Sequence, residues 1–360
     1  MTDQQRDQNF IAEFGARLAG RTEQEVGTFF DLVLQFLGTY ASGYELPGPI
    51  HLVLDNSIVQ DFKHRATKPE RGLRALAYSA FCRFVAGWSD RETSLALSPM
   101  AVYEHLGRRS PASADEAAAA LQELPGLLAD TRLPCIGLGF RGPASLLAKL
   151  RDIEADDRYL TSYVRSLDAG DWKTDLRAPL GVKIPLSIAY EKVPDDLPMR
   201  YFDAWYVKFV LAARVEQFIV QQSRHDPASR PIHSGRLGKA LADLNEFSKK
   251  GLLKGLGDID LLQICDVSRQ YAHDPGFVLI GQTLDDGLAA VLRHRHVYHV
   301  SDGGTVGTAD GEEGIRRAIR LIFSNPFSEQ DQRAQRMGVL LNAFQQPLVE
   351  ACERALTQAP

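Results

Sequence analysis

Cysteine is scarce: four residues in 360, Cys82, Cys135, Cys265 and Cys352, spaced too far apart to form a paired zinc motif. Read as reduced thiols of a core, they argue against a disulfide framework. No apolar stretch approaches the about 20 uninterrupted residues that a bilayer span requires. The first eight residues, Met1 to Gln8, are polar and lack the apolar segment of a secretory signal. The expectation is therefore a cytoplasmic protein without a membrane partner. Positive charge is not in excess, because 41 Lys and Arg against 46 Asp and Glu leave −5. Any nucleic acid must then be held by a local basic patch and not by the field of the whole molecule. Repeats of fixed period are absent as well. What remains is the composition of an ordinary globular protein, 44% hydrophobic and 24% charged. Its length suggests more than one structural unit.

The most informative stretch is His51 to Val59. An apolar run, Leu52 to Leu54, stops at Asp55, Asn56 and Ser57 before apolar character resumes at Ile58. A buried parallel strand reads this way when its C-terminal tip delivers an acid into a crevice. Open α/β sheets bind ligands at that edge. Asp55 is accordingly a metal ligand, a nucleophile or a cap of the next helix, since Asp is also a favoured N-cap.

Before this strand, Phe10, Ile11, Phe14 and Leu18 recur at helical spacing. Thr22-Glu23-Gln24-Glu25 has the form of a capping box ahead of Val26, Phe29, Phe30, Val33, Leu34, Leu37 and Tyr40. After it, residues 61–74 carry Lys63, Arg65, Lys68, Arg71 and Arg74, which suit either a solvated face or contacts to phosphates. Leu73 to Trp88 is apolar at helical spacing. Ser94 to Ala101 reads as a second short strand and a helix opened by Pro99, and that helix carries Glu104 among small and apolar neighbours. From about 107 to 250 the pattern is helical with Pro/Gly-rich breaks. Gly137-Leu138-Gly139-Phe140-Arg141-Gly142 comes near the dinucleotide fingerprint, but its third glycine arrives one residue early and little strand precedes it, so a chance loop match is the better reading. Gly255 to Asp260 introduces another helix. Gly276 to Gly281 encloses a further apolar strand that ends at Thr283, Asp285 and Asp286. The tract His294 to His299 alternates like an edge strand and need bind nothing.

If those strands are neighbours in one parallel sheet, Asp55, Glu104, Asp258 or Asp260, and Asp285 or Asp286 share a crevice. Clustered carboxylates repel and raise one another's pKa. A hard divalent cation, Mg²⁺ or Mn²⁺, relieves this with oxygen ligands alone.

Four motifs in order, Leu54-Asp55-Asn56-Ser57, Leu97-Ser98-Pro99 with Glu104, Asp258-Ile259-Asp260-Leu261-Leu262 and Thr283-Leu284-Asp285, resemble those of the PIN domain, a family of small α/β nucleases. The resemblance covers roughly 51–106 and 251–300. It implies an α/β fold with a PIN-like parallel-sheet core and helices on both faces, over 50–106 and 251–310. A helical extension over 1–49, a helical insertion over 107–250 and C-terminal helices over 311–360 complete the expected organisation. It further implies metal-dependent hydrolysis of single-stranded RNA. Asp55, Glu104, Asp258 and Asp285 would be the metal ligands, with Asp258 preferred to Asp260 for its helical phase and Asp285 to Asp286 for the Thr-x-Asp spacing. Asn56, Ser57 and Thr283 would be supporting polar groups. Arg65, Lys68, Arg71, Lys249, Lys250 and Lys254 are candidates for backbone contacts. DNA as substrate, a non-catalytic interaction module and a homo-oligomer stay open. The long insertion departs from the compact toxins of this family. A haloacid-dehalogenase-like phosphatase is disfavoured because Ser57 stands where its second aspartate would be.

Overall fold

The structure, a computed structural model, describes residues 3–44, 48–89, 91–168, 208, 239–240, 244, 248–249, 252–265 and 276–292. The sequence expectations for 294–299, for Cys352 and for 311–360 lie outside the described residues, as does Lys250.

Two helices open the chain, α1 (Asp3–Leu18) and α2 (Glu23–Tyr44). The capping box forms as expected: Glu25 N–H donates to Thr22 Oγ1 and Thr22 N–H donates back to the Glu25 carboxylate. The buried stripe of α2 runs Val26, Phe29, Val33, Phe36, Leu37 and Tyr40, each at most 3% exposed. This differs from the expected stripe at three places, one of them Phe30, which is half-buried. Leu34 is 37% exposed and Phe36 is buried instead, because spacings alternating between three and four residues turn position 34 to the flank. Burial of one such Phe contributes about 1.5–3 kcal/mol, and α2 turns its stripe mainly toward the helix Pro69–Trp88 and the strand Val278–Gln282.

The sheet contains β1 (Ile50–Leu54), β2 (Thr93–Leu97), β3 (Cys135–Gly137) and β6 (Val278–Gln282). All pairings are parallel and the order is β3-β2-β1-β6. The chain passes from β1 to β2 through α3 (Asn56–His64) and α4 (Pro69–Trp88). It then reaches β3 through α5 (Pro99–His105) and α6 (Ala114–Leu127). After α7 (Pro143–Asp168) come a short hairpin, β4 (Ser248–Lys249) with β5 (Leu252–Leu253), and α8 (Leu256–Ile264). The strand order therefore reverses beside β1. Strand β3 was not anticipated: it falls within the stretch read as helical insertion, and three residues are too few to show a period. The glycine-rich sequence that follows it is the turn between β3 and α7, with Gly139 and Gly142 at positive φ.

Alternation along the strands sorts the core into two layers. Ile50, Leu52, Leu54, Leu95 and Leu97 pack with α1 to α5. Val53 and Ala96 face the other way, against Leu261 and Leu262 of α8 and Leu288, Val291 and Leu292 of the helical residues 286–292. Gly281, which pairs in register with Val53, completes that second face. A Cβ on it would stand 3.0 Å from Leu292 and 3.2 Å from Leu261. The observed class is thus α/β with a parallel sheet covered on both faces. None of the helices among the described residues is long and apolar enough to cross a membrane.

Candidate functional site

Register and parity together place the site. Val53, Ala96 and Gly281 are Cα partners across β2, β1 and β6 on the face covered by α8. Two residues further along each strand come Asp55, Ser98 and Thr283, the next positions of the same parity. Three chemically active side chains thus stand in one row just past the C-terminal edge of the sheet. The row spans the point where strand order reverses, the place where open α/β sheets form a ligand crevice.

Asp55 and Thr283 of this row are bonded to each other, and Ser98 is tied to α8. Asp55 occupies the N-cap position of α3 without a side-chain capping hydrogen bond. Its Oδ2 accepts instead from Ser57 Oγ at 2.5 Å and from Thr283 Oγ1 at 2.8 Å. Both hydroxyls are themselves held by the β6 tip: Leu284 N–H donates to Ser57 Oγ at 3.2 Å, and Asp285 N–H donates to Thr283 Oγ1 at 3.1 Å. Ser98 caps α5 by accepting from Ala101 N–H and donates to Asp260 Oδ2 at 2.9 Å, which fastens α8 to the β2 tip.

Glu104 comes from α5, one and a half turns after Pro99 starts that helix. Its carboxylate lies against the backbone of α8. A Cβ at Gly257 would stand 2.7 Å from Oε2 and 2.8 Å from Oε1, so glycine at 257 leaves the space that Glu104 fills. Asp258, in the first turn of α8, is held by Lys208, whose Nζ lies 2.8 Å from Oδ2. At the end of α5, Arg108 adopts the left-handed conformation with φ 62°. There it pairs with Asp157 of α7 and donates to the Leu253 carbonyl at 3.2 Å, which anchors the approach to α8.

Electrostatics tie these carboxylates together. Glu104 is raised to about 8, first by burial and then by the fields of Asp55 and Asp258, with Arg108 opposing. Burial also raises Asp55, the Ser57 hydrogen bond opposing it and the Asp258 charge adding to it. Asp260 is pushed up to about 6 by burial against the Ser98 bond. Asp285 is raised by burial, opposed by the Leu288 N–H and reinforced by Asp258.

The fields of Asp55, Asp258 and Asp260 therefore meet at Glu104, and the field of Asp258 also reaches Asp55 and Asp285. The capping role belongs to Asp285, whose Oδ1 accepts from Leu288 N–H at 2.8 Å. Asp286 begins the following helical residues and is half-buried. Asn56 turns along α3 and accepts from Gln60. Among the candidate cations, Arg65 donates to the Leu127 carbonyl, while Arg71 donates to the Gln60 carbonyl and stands 3.7 Å from Asp61. Their guanidinium groups already bind the chain itself. Lys68 is the N-cap residue of α4, Lys249 belongs to β4, and Lys254 is half-buried before α8.

Sequence reasoning missed Lys208, Ser98 as the anchor of Asp260, and Arg108. A lysine within an apolar helical pattern carries no signal of its partner. Ser98 reads as an ordinary cap, which it also is. Alongside α5 and α7 lies an open cleft of about 280 Å³ that presents Arg108, Arg158 and Arg165 beside Glu154 and Asp157.

Among the described residues, no three His, Cys, Asp or Glu side chains form a ready-made metal cage. The donors nevertheless suit a hard divalent cation in kind, being carboxylate oxygens with no thiol or imidazole among them. Comparison of the chain with protein-family models, curated proteins and solved structures finds no match.

Proposed function

We propose that this chain is a metal-dependent endoribonuclease with a PIN-like core, acting on single-stranded RNA in the cytoplasm. The observation that carries the reading is the convergence of Asp55, Glu104 and Asp258, from β1, α5 and α8, where burial and the charges of Asp55 and Asp258 raise Glu104, and burial and the charge of Asp258 raise Asp55. Isolated negative charges do not gather in a desolvated crevice without a countercharge. Asp55 and Glu104 would hold Mg²⁺ or Mn²⁺, with Asp258 and Asp285 completing the donor set. Ser57 and Thr283 orient Asp55 by donating to Oδ2, and Ser98 fixes α8 through Asp260. When bound, such a cation supplies a water nucleophile at neutral pH and neutralises charge developing on the phosphoryl group. The cleft beside α5 and α7 offers Arg158 and Arg165 to a phosphate backbone, and DNA would meet the same chemistry.

A second reading is favoured by the Lys208–Asp258 pair: a non-catalytic interaction module whose acids are kept together by that ammonium. Labelled single-stranded RNA and DNA incubated with the protein and Mn²⁺, beside an Asp55→Asn variant, separates the readings. Cleavage of RNA by the unaltered protein alone supports the nuclease. Cleavage of DNA in preference reassigns its substrate. Intact strands in every reaction leave the module.

A further inference from the structure

Lys208 is buried, at 1% exposure. Its ammonium bonds Asp258 Oδ2 at 2.8 Å and its field reaches Asp285. The backbone leaves room for it by glycine: a Cβ at Gly255, a residue with φ +79°, would collide with Nζ and stand 3.0 Å from Asp258 Oδ2. Nothing equivalent serves the other half of the cluster. Among the described residues, no ammonium or guanidinium bonds Asp55 or Glu104, and Arg108, whose field reaches Glu104, is itself tied to Asp157 and the Leu253 carbonyl.

The crevice is thus divided. On one side, Asp258 and Asp285 have a fixed positive charge supplied by the chain. On the other, Asp55 and Glu104 have hydroxyl donors and each other. A two-ion site needs both cations a few Å apart, each with carboxylates free to bind it. A lysine buried against Asp258 cannot withdraw without leaving an uncompensated charge in a desolvated place, so it holds its position against a soluble ion.

We propose that the Lys208 ammonium takes the place of a second divalent cation, so that the cluster binds a single Mg²⁺ or Mn²⁺, on the Asp55–Glu104 side. This rests on the metal-dependent reading above. It narrows that reading to one-ion chemistry in which Asp258 and Asp285 answer to Lys208 and drop out of the donor set.

Counting bound Mn²⁺ on the full chain by electron paramagnetic resonance tests it without any substrate. The unaltered protein binds one ion. Lys208→Met, with its fold checked by circular dichroism, binds two and shows the exchange-broadened spectrum of a coupled pair. Lys208→Arg keeps the positive charge and binds one. Two ions on the unaltered protein or on Lys208→Arg overturn the inference, whether or not Lys208→Met folds, and leave the nuclease reading standing. A folded Lys208→Met that still binds one does the same. No Mn²⁺ on any of the proteins overturns both.

Discussion

Thr283 Oγ1 donates a hydrogen bond to Asp55 Oδ2 at 2.8 Å, joining the tips of β6 and β1 across 228 residues of sequence. The same oxygen accepts from Asp285 N–H, so the hydroxyl is fixed in direction and Asp55 is fixed by it. Thr283→Val keeps the shape and removes both bonds. Mn²⁺ affinity is expected to fall by about tenfold, the usual loss when a group that orients a ligand is removed. Calorimetric titration of the two proteins measures it, and equal affinities would show that Asp55 needs no such support.

Gly257→Ala separates site from fold. The added methyl meets the far end of a flexible side chain, Glu104, which can swing away. Gly257 is helical, and alanine there is worth up to about 1 kcal/mol of helix stability. The thermal midpoint is expected to stay or rise while Mn²⁺ affinity drops. A fall in both would place Gly257 in the packing and not in the site.

Stability should depend on pH in a definite direction. Glu104 keeps its proton in the folded protein up to about 8, whereas its unperturbed value is 4.5. Asp260 is raised in the same sense, to about 6. Between those limits the folded state binds more protons than the unfolded one, so unfolding free energy falls as pH rises. Calorimetry in chelator should show the midpoint of the metal-free protein declining from about pH 4.5 to about pH 8, with a shallower decline in Glu104→Gln. A midpoint rising across this window contradicts the assignment.

Asp61 is 2% exposed and accepts two hydrogen bonds from Arg74, at 2.5 and 2.9 Å. Arg74→Met leaves a buried carboxylate with Arg71 at 3.7 Å as its remaining ionic neighbour. A loss of about 2–3 kcal/mol is expected, the scale of a hydrogen bond to a charged group. Urea unfolding reads it directly. A change below about 0.5 kcal/mol would mean the pair is as weak as an ordinary surface ion pair.

Much of this architecture was legible in local pattern. The capping box at Thr22 and Glu25, the strand ending at Leu54, the Pro99 helix start and the strand from Val278 each carry a signal within a few residues. Asp55, Glu104 and the acids of α8 could be nominated because an acid at the end of an apolar run is conspicuous. Long-range contacts are what the chain hides. Whether Asp55 caps its helix or meets Thr283 depends on β6 pairing with β1, which no nearby residue announces. The cap expected as one alternative at Asp55 is found at Asp285 instead. Likewise β3 is too short to alternate visibly, and Arg71, read as a contact for phosphate, folds back on Gln60 and Asp61.

The placement of β6 beside β1 also sets an order of events during synthesis. Residues 50–137 can pair three strands as they leave the ribosome, yet the flank of β1 that β6 will cover stays open until position 282 has been made. Until then Asp55 lacks its Thr283 partner, and α8 lacks part of the face it packs on. The acidic cluster is thus incomplete in the nascent chain, and an open strand edge is what a chaperone would shield in the interval.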